Sequence, residues 1–361
     1  MAAPLPPNAT IGIIGGGQLG RMLAMAAARL GYRTVILEPQ ADCPAAQVAN
    51  SQIAAPYDDP DALAELAGCC DVVTYEFENV PVRAAETLAA TVSVYPPPRA
   101  LEVSQDRLVE KRFLNGIGVP TARFEAVDDQ AGLESALQGF GGSGVLKTRR
   151  MGYDGKGQRV FRNAGPADWL GAFAAMGGAP LILEELIPFE REISVIAVRA
   201  ANGALVSYTP AENVHRDGIL HTSTVPARIA ADVAEAARAH AGRVLAALDY
   251  VGVVGVEFFV VPGGGLIANE MAPRVHNSGH WTEAACTVSQ FEHHIRAVAG
   301  LPLVPARMHA PCVMENLIGD DILRAPALAA EADVLVHLYG KAEARPGRKM
   351  GHFTRLLPDR D

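Results

Sequence analysis

The sequence predicts an α/β and α+β protein of two to three domains, and three observations carry that expectation. A strand, a glycine-rich turn, a helix and another strand follow one another through residues 10–38, a long apolar hairpin occupies residues 253–271, and proline-rich breaks stand at Pro96-Pro97-Pro98 and Gly300-Leu301-Pro302. The length of 361 residues is also two to three times the ~150 of an average domain.

Composition narrows the class. Hydrophobic side chains make up 49% and charged ones 20% of the chain, which supplies apolar surface for sizeable cores and is unlike a disordered polymer. The 31 basic and 40 acidic side chains leave a charge of −9, which repels polyanions, so no nucleic-acid partner is expected. No apolar run approaches the ~20 residues of a membrane span, and the first ten residues lack the basic start and apolar core of a signal peptide. A cytoplasmic protein with no membrane partner follows. Cys43, Cys69, Cys70, Cys286 and Cys312 form no CxxC pair, which suits reduced thiols.

The elements follow in order. Residues 11–14 read as a strand, 21–30 as an Ala/Met/Leu-rich helix and 34–38 as a second strand, together a βαβ unit. A helix at 60–67, a buried strand at 71–75 and another at 92–95 continue the alternation up to the proline run, which marks the first domain boundary. A helix over 105–116 opens a second, α+β domain. It continues through strands at 144–147 and 181–185, a helix over 231–248 and the hairpin. The division expected is 1–104, 105–300 and 301–361, the last a small β-rich unit.

Gly15, Gly17 and Gly20, placed between a strand and a helix with Glu38 ending the next strand, satisfy the dinucleotide fingerprint. The physics is less specific, because glycines and a helix start suit any phosphate or carboxylate. A dinucleotide, another phosphate ligand and a turn that binds nothing all remain open at this point. Glu76, just past the strand 71–75, sits either at a ligand edge or on a solvated loop.

The hairpin is the most informative stretch. If Val261 pairs with Leu266 across Pro262-Gly263-Gly264-Gly265, Glu257 falls opposite Glu270 on one face. Like charges facing each other across strands are destabilising, and a divalent cation held by carboxylate oxygens would neutralise them. A register slip or bulge would instead separate the two acids. Upstream, Lys147 lies in an apolar strand and precedes Met151, Gly152, Tyr153, Asp154, Gly155, Lys156, Gly157 and Gln158, a loop able to fold over a phosphate. It is not a Walker P-loop. Glu184, Glu185, Leu186 and Ile187 form a strand end whose backbone can pair with a base, with Glu192 in reach of a ribose.

With these residues in this order, the chain resembles the ATP-grasp superfamily and, within it, the N5-carboxyaminoimidazole ribonucleotide synthase family. The resemblance also rests on Gln105-Asp106-Arg107, Ala211 to His215, Arg274-Val275-His276-Asn277-Ser278-Gly279-His280 and Arg348-Lys349-Met350-Gly351-His352. It implies an ATP-grasp architecture with an amino-terminal Rossmann-like domain, a lid at about 120–190 and a small carboxy-terminal β-rich domain. It further implies that Arg107, Lys147, residues 152–158, Glu184 to Ile187, Glu192, His215, Asn269 and Glu270 surround ATP, with Mg2+ on Glu257 and Glu270. No NAD is expected, since the first glycine loop then faces the ribonucleotide.

The implied reaction joins bicarbonate to the amine of 5-aminoimidazole ribonucleotide through carboxyphosphate, with ATP as the phosphoryl donor. Arg274 would hold the bicarbonate-derived carboxylate, and Lys349 would act beside it. His276 is either the acceptor of the amine proton or a positioning donor, and Tyr153 and Asp154 would close the site. Gln18, Leu19, Glu76, Asn277, Ser278, Lys341, Arg348 and Lys349 would complete the ribonucleotide pocket, the basic cluster around Arg345 taking its phosphate unless it is a solvated surface. A homodimer is implied as well. A formate-activating relative and an NAD-dependent dehydrogenase are the competing readings.

Overall fold

The computed structural model describes residues 3–152 and 157–358. The first sheet is parallel, in the order β3-β2-β1-β4, built from β1 (Thr10–Ile14), β2 (Arg33–Leu37), β3 (Ser51–Ile53) and β4 (Val72–Tyr75). Ile11, Ile13 and Ile14 are fully buried, as expected of a central parallel strand covered on both faces. The helix Gln18–Arg29 follows β1 directly. Pro60–Cys69 begins on a proline, with Asp59 accepting from the Asp61 and Ala62 amides at 3.0 and 2.9 Å, which satisfies two donors that a helix start leaves open. The strand expected over 92–95 shrinks to one parallel bridge, Val73 to Val94, because the proline run just beyond cannot donate to a ladder.

The helix expected over 105–116 runs over Arg107–Gly116, and a separate short helix, Pro98–Ser104, precedes it. Asp106 stands between the two and caps the longer through Leu108 N at 3.0 Å. A small antiparallel sheet follows in the order β5-β8-β6-β7, made of β5 (Phe124–Val127), β6 (Gly144–Thr148), β7 (Gln158–Phe161) and β8 (Leu181–Glu184).

The largest sheet contains β9 (Arg191–Arg199), β10 (Leu205–Ser207), β11 (Ala211–Arg216), β12 (Ile219–Val225), β13 (Gly252–Val260), β14 (Leu266–Ala272), β15 (Cys312–Ile318), β16 (Val334–Leu338) and β17 (Lys349–Leu356). Its order is β14-β13-β9-β11-β12-β15-β17-β16, with β10 on β9. The carboxy-terminal strands therefore extend the central sheet through the β12–β15 ladder. Helix Ala231–Ala247 covers one face with Val233, Ala237, Ala241 and Val244, a near-four-residue spacing that keeps them on one side. A shared core joins Ile11 of the first sheet to Trp281, Phe291, Met314 and Tyr339. No helix among the described residues is long and apolar enough to cross a membrane.

The hairpin differs from expectation in a way that matters for the site. Val260, not Val261, pairs with Leu266, and Phe258 pairs with Ala268. A bulge then leaves Asn269 unpaired, and Glu257 comes opposite Glu270. The one-residue error in the turn is cancelled by the one-residue bulge.

Candidate active site

Two adjoining cavities of about 320 and 310 Å3 meet in the cleft between the first sheet, the small sheet and the largest sheet. Arg107, Glu270, His276, Asn277 and Lys349 line both. The first is completed by Gln18, Leu19, Glu76, Glu78, Asn79 and Arg274. The second has apolar walls from Val145, Val160, Leu186, Ile187, Phe189 and Phe259, with Lys147, Gln158, Glu184, Glu185, Glu192, His215, Glu257 and Asn269 at its polar end. An apolar slot leading to charged groups suits a nucleotide, base inward and phosphates toward the shared wall.

At that wall Glu257 is pushed up to about 7, by burial first and by the facing Glu270 second. Glu270 is held below the usual carboxylate range: burial would raise it, but Arg107, 3.1 Å away, outweighs that. Asn269 Oδ1 is buried with no hydrogen-bond partner among the described residues. Two facing carboxylates beside an unpaired amide oxygen form a hard, all-oxygen donor set, which fits Mg2+. Near them, His276 Nε2 lies 3.8 Å from Glu257 and His276 Nδ1 lies 2.9 Å from Ser278 Oγ. Burial and then Arg274 push the His276 imidazolium down to about 3, so the ring is neutral.

Sequence reasoning misses the groups beneath the phosphate end. Lys111 is 1% exposed and reaches Glu184 at 3.2 Å and the Asn269 carbonyl at 3.2 Å. Lys147 bonds the same Glu184 oxygen at 2.9 Å. Burial alone would raise Glu184, yet the two lysines hold it at about 2. The Glu184 side chain thus anchors two lysines, while residues 184–187 line the second cavity. Glu110, pushed up to about 8 by burial and Glu270, accepts from Met271 N at 2.5 Å. Adjacent Glu110 and Lys111 on a charged helix give no sign in the sequence that both side chains are buried.

The first glycine loop is corrected by the structure. Gly17 N and Gly20 N donate to Glu76 at 2.8 and 2.9 Å, and Gly16 N donates to Glu38 at 2.9 Å. A Cβ at Gly17 would lie 2.6 Å from Glu76 Oε1, and one at Gly16 would lie 2.3 Å from Cys43 Sγ. The glycines admit protein carboxylates and a thiol, not a pyrophosphate, so the helix start already has its anion. Glu76 is raised by its burial, the two amides opposing. NADH and NADPH should therefore show no saturable binding by fluorescence titration. Gly17→Val should displace Glu76 and raise the KM for ribonucleotide; a millimolar-or-better NADH site would overturn this account of the loop.

The remaining expected residues divide. Arg274 bonds Glu78, and although burial would raise that carboxyl, Arg274 holds it at about 2. Asn277 forms a reciprocal amide pair with Asn316, at 3.0 and 2.8 Å. Ser278 is fully buried and lines neither cavity, so it supports His276 instead of touching a ligand. Gln290 clamps the His276 peptide, accepting from its N–H at 2.9 Å and donating to its C=O at 2.7 Å. His215 pairs with Glu192 at 2.9 Å. Glu185 N donates to Arg123 O at 2.8 Å, so that amide is taken. Of the carboxy-terminal cluster only Lys349 reaches the cleft. Lys341 donates to the Lys349 carbonyl at 2.7 Å, and Arg348, in the turn just before β17, bends back to the Glu343 carbonyl at 2.9 Å. Gly152 O accepts from Arg107 at 3.4 Å and Gly157 O from Thr148 N at 2.8 Å. Tyr153, Asp154, Gly155 and Lys156 lie outside the described residues.

Three family models match the chain in series: a ribonucleotide synthetase preATP-grasp domain over residues 8–105, an ATP-grasp domain over 112–291, and a phosphoribosylaminoimidazole carboxylase C-terminal domain over 312–361. The N5-carboxyaminoimidazole ribonucleotide synthase of Brucella melitensis is 64% identical over 354 residues, 98% of each chain. That of Pseudomonas aeruginosa is 47% identical over 350 residues, 97% of this chain and 95% of its own. Among solved structures, the Staphylococcus aureus N5-carboxyaminoimidazole synthetase complexed with ADP superposes with a TM-score of 0.94 at 38% identity, covering 99% of this chain and 95% of that one. The Aspergillus clavatus synthase in complex with ADP and 5-aminoimidazole ribonucleotide does so with a TM-score of 0.90 at 32% identity, covering 97% and 94%. The chain belongs to the N5-carboxyaminoimidazole ribonucleotide synthase family of ATP-grasp enzymes.

Proposed function

We propose that this protein is the ATP-dependent ligase that carboxylates 5-aminoimidazole ribonucleotide with bicarbonate, giving N5-carboxyaminoimidazole ribonucleotide, ADP and phosphate in purine biosynthesis. The observation that carries this reading is the pair of cavities meeting at Arg107, Glu270, His276, Asn277 and Lys349. A phosphoryl donor in one and an acceptor in the other would bring their reactive ends together at that wall. The Aspergillus relative, solved with ADP and the ribonucleotide, supports two occupants.

The second cavity takes ATP, with the base among Val145, Val160, Leu186 and Phe259, the ribose near Glu192 and His215, and the phosphates toward Lys147 and Arg107. Glu257, Glu270 and the Asn269 oxygen would hold Mg2+, which when bound neutralises charge on the phosphate oxygens. The first cavity takes the ribonucleotide, beside Gln18, Leu19, Glu76 and Asn277. Bicarbonate oxygen attacks the γ-phosphorus with ADP leaving, and the amine then attacks the carboxyphosphate carbon with phosphate leaving. Arg274, fixed by Glu78, offers its guanidinium to the carboxylate in both steps. The His276 ring, its Nδ1 beside Ser278 Oγ, is kept neutral by burial and Arg274 and is too weak a base to keep the amine proton, so it orients the amine while the leaving phosphate carries the proton away.

The same reading assigns residues 1–104, 105–300 and 301–361 to ribonucleotide binding, ATP binding and phosphate capture, in a cytoplasmic homodimer. Free thiols at all five cysteines support a reducing compartment. The test is phosphate release from ATP with magnesium, ribonucleotide and bicarbonate each omitted in turn. Release should need all three, and release sustained by formate in place of bicarbonate would move the chain to the formate-activating chemistry.

Lys349 supplies a separate check. Lys349→Ala removes a charge-assisted hydrogen bond worth roughly 1.5–3 kcal/mol, so ribonucleotide affinity should fall about 10- to 150-fold. ATP affinity should move far less. Unchanged ribonucleotide affinity would take Lys349 out of the substrate site.

A further inference from the structure

A second group of ligand-forming side chains lies behind the cleft, on residues that line neither cavity. Glu283 sits in the short helix Thr282–Ala285, and His337 and His352 are cross-strand partners on β16 and β17. One ligand atom from each lies within 4.8 Å of those of the other two. His337 Nδ1 and Glu283 Oε2 are 3.2 Å apart. Ligands ~2.0–2.1 Å from a tetrahedral zinc-class ion stand about 3.3 Å from one another, so this pair is already spaced as one edge of such a site.

The surroundings add to the case. Tyr339 OH lies 2.8 Å from His352 Nδ1, which orients the ring and leaves Nε2 as the ligand atom, the arrangement by which an outer hydrogen bond fixes a metal-binding imidazole. Burial, and then the neighbouring His337, holds His352 well below the usual imidazole range, so it is in the neutral, ligating form. Glu283 and His337 side chains are 30% and 16% exposed, which gives an ion a way in and lets Glu283 rotate to close the longer edges. A mixed imidazole and carboxylate set suits zinc, cobalt or nickel better than magnesium.

We propose that Glu283, His337 and His352 bind one divalent transition-metal ion of the zinc class, with solvent completing the shell. The ion would tie the edge strand β16 to β17 and to the Thr282–Ala285 turn. Lys349 begins β17, so the tie also steadies the strand that carries a cleft lysine.

The experiment uses the untagged full-length protein, stripped of metal and titrated with Co2+. One equivalent should bind with the strong visible absorption of low-coordinate cobalt. His337→Ala and Glu283→Gln should each abolish that band, whereas Tyr339→Phe should weaken cobalt affinity by about 10- to 100-fold. Glu257→Gln, which alters only the cleft carboxylates, should leave the band intact. Melting curves follow each variant, and the partly exposed Glu283→Gln decides the matter if His337→Ala fails to fold. Absence of the band in the unaltered protein, its survival in Glu283→Gln, or its loss in Glu257→Gln would each overturn the proposal.

Discussion

Replacing Glu270 by glutamine is expected to lower turnover by about two to three orders of magnitude at saturating magnesium, at ~1.36 kcal/mol per tenfold, because a metal ligand supplies several kcal/mol of charge stabilisation. The fold should lose little. Arg107 gives up a partner 3.1 Å away, but the Glu270 side chain is 40% exposed, and a pair so open contributes at most about 1 kcal/mol. Against that, the facing Glu257 is relieved of a like charge. In the protein without metal, Glu257 is raised from 4.5 to about 7. The folded state then binds the extra proton between those values, so this group makes stability fall as pH rises through the window. Glu270→Gln should flatten that fall. Phosphate release measures the first effect, and melts in EDTA across the pH window measure the second. Unaltered turnover, or an unaltered pH slope, would take Glu270 out of the metal pair.

The two facing acids are legible in the sequence for a reason that is partly luck. Two apolar runs around a glycine-rich turn make the hairpin at 253–271 plain, but a four-residue glycine-rich turn does not set register. The expected pairing at Val261 is off by one, and only the bulge at Asn269 restores Glu257 to Glu270. The first βαβ unit is legible because glycine spacing reports that something must come close to the backbone. It does not report what, and the carboxylate that arrives is Glu76, 59 residues from Gly17. Lys111 and Glu110 are brought under the phosphate end by packing of helix Arg107–Gly116 against β14 and by the Lys111–Glu184 ion pair, and no local pattern encodes that. The basic cluster at 341–349 is visible as composition, yet the turn before β17 folds Arg348 back on the Glu343 carbonyl and leaves Lys349, the first residue of the strand, in the cleft. The β12–β15 ladder, which merges the last strands with the central sheet, depends on a pairing between residues some 90 positions apart and leaves no trace in either strand alone.

The Glu78–Arg274 pair separates what holds the cleft together from what reacts in it. Arg274→Gln leaves Glu78 without its guanidinium. Breaking a buried pair costs about 3–5 kcal/mol, and since these side chains are 15% and 29% exposed to the cleft, the lower end of that range is expected. The carboxyl, held at about 2 by Arg274 against its burial, should return upward. Turnover should also fall about 100- to 1,000-fold, the loss seen when one preorganised donor to developing charge is removed. Adding Glu78→Gln replaces the stranded charge with an amide that can pair with the amide introduced opposite it, so most of the lost stability should come back. Activity should not, because no guanidinium then faces the bicarbonate-derived carboxylate. A double-mutant cycle read in both melting temperature and kcat/KM therefore gives two different coupling energies: large and favourable for stability, near zero for catalysis. If kcat/KM recovers along with stability in the double variant, Arg274 is a strut for Glu78 and another cation, Lys349 or Arg107, meets the carboxylate.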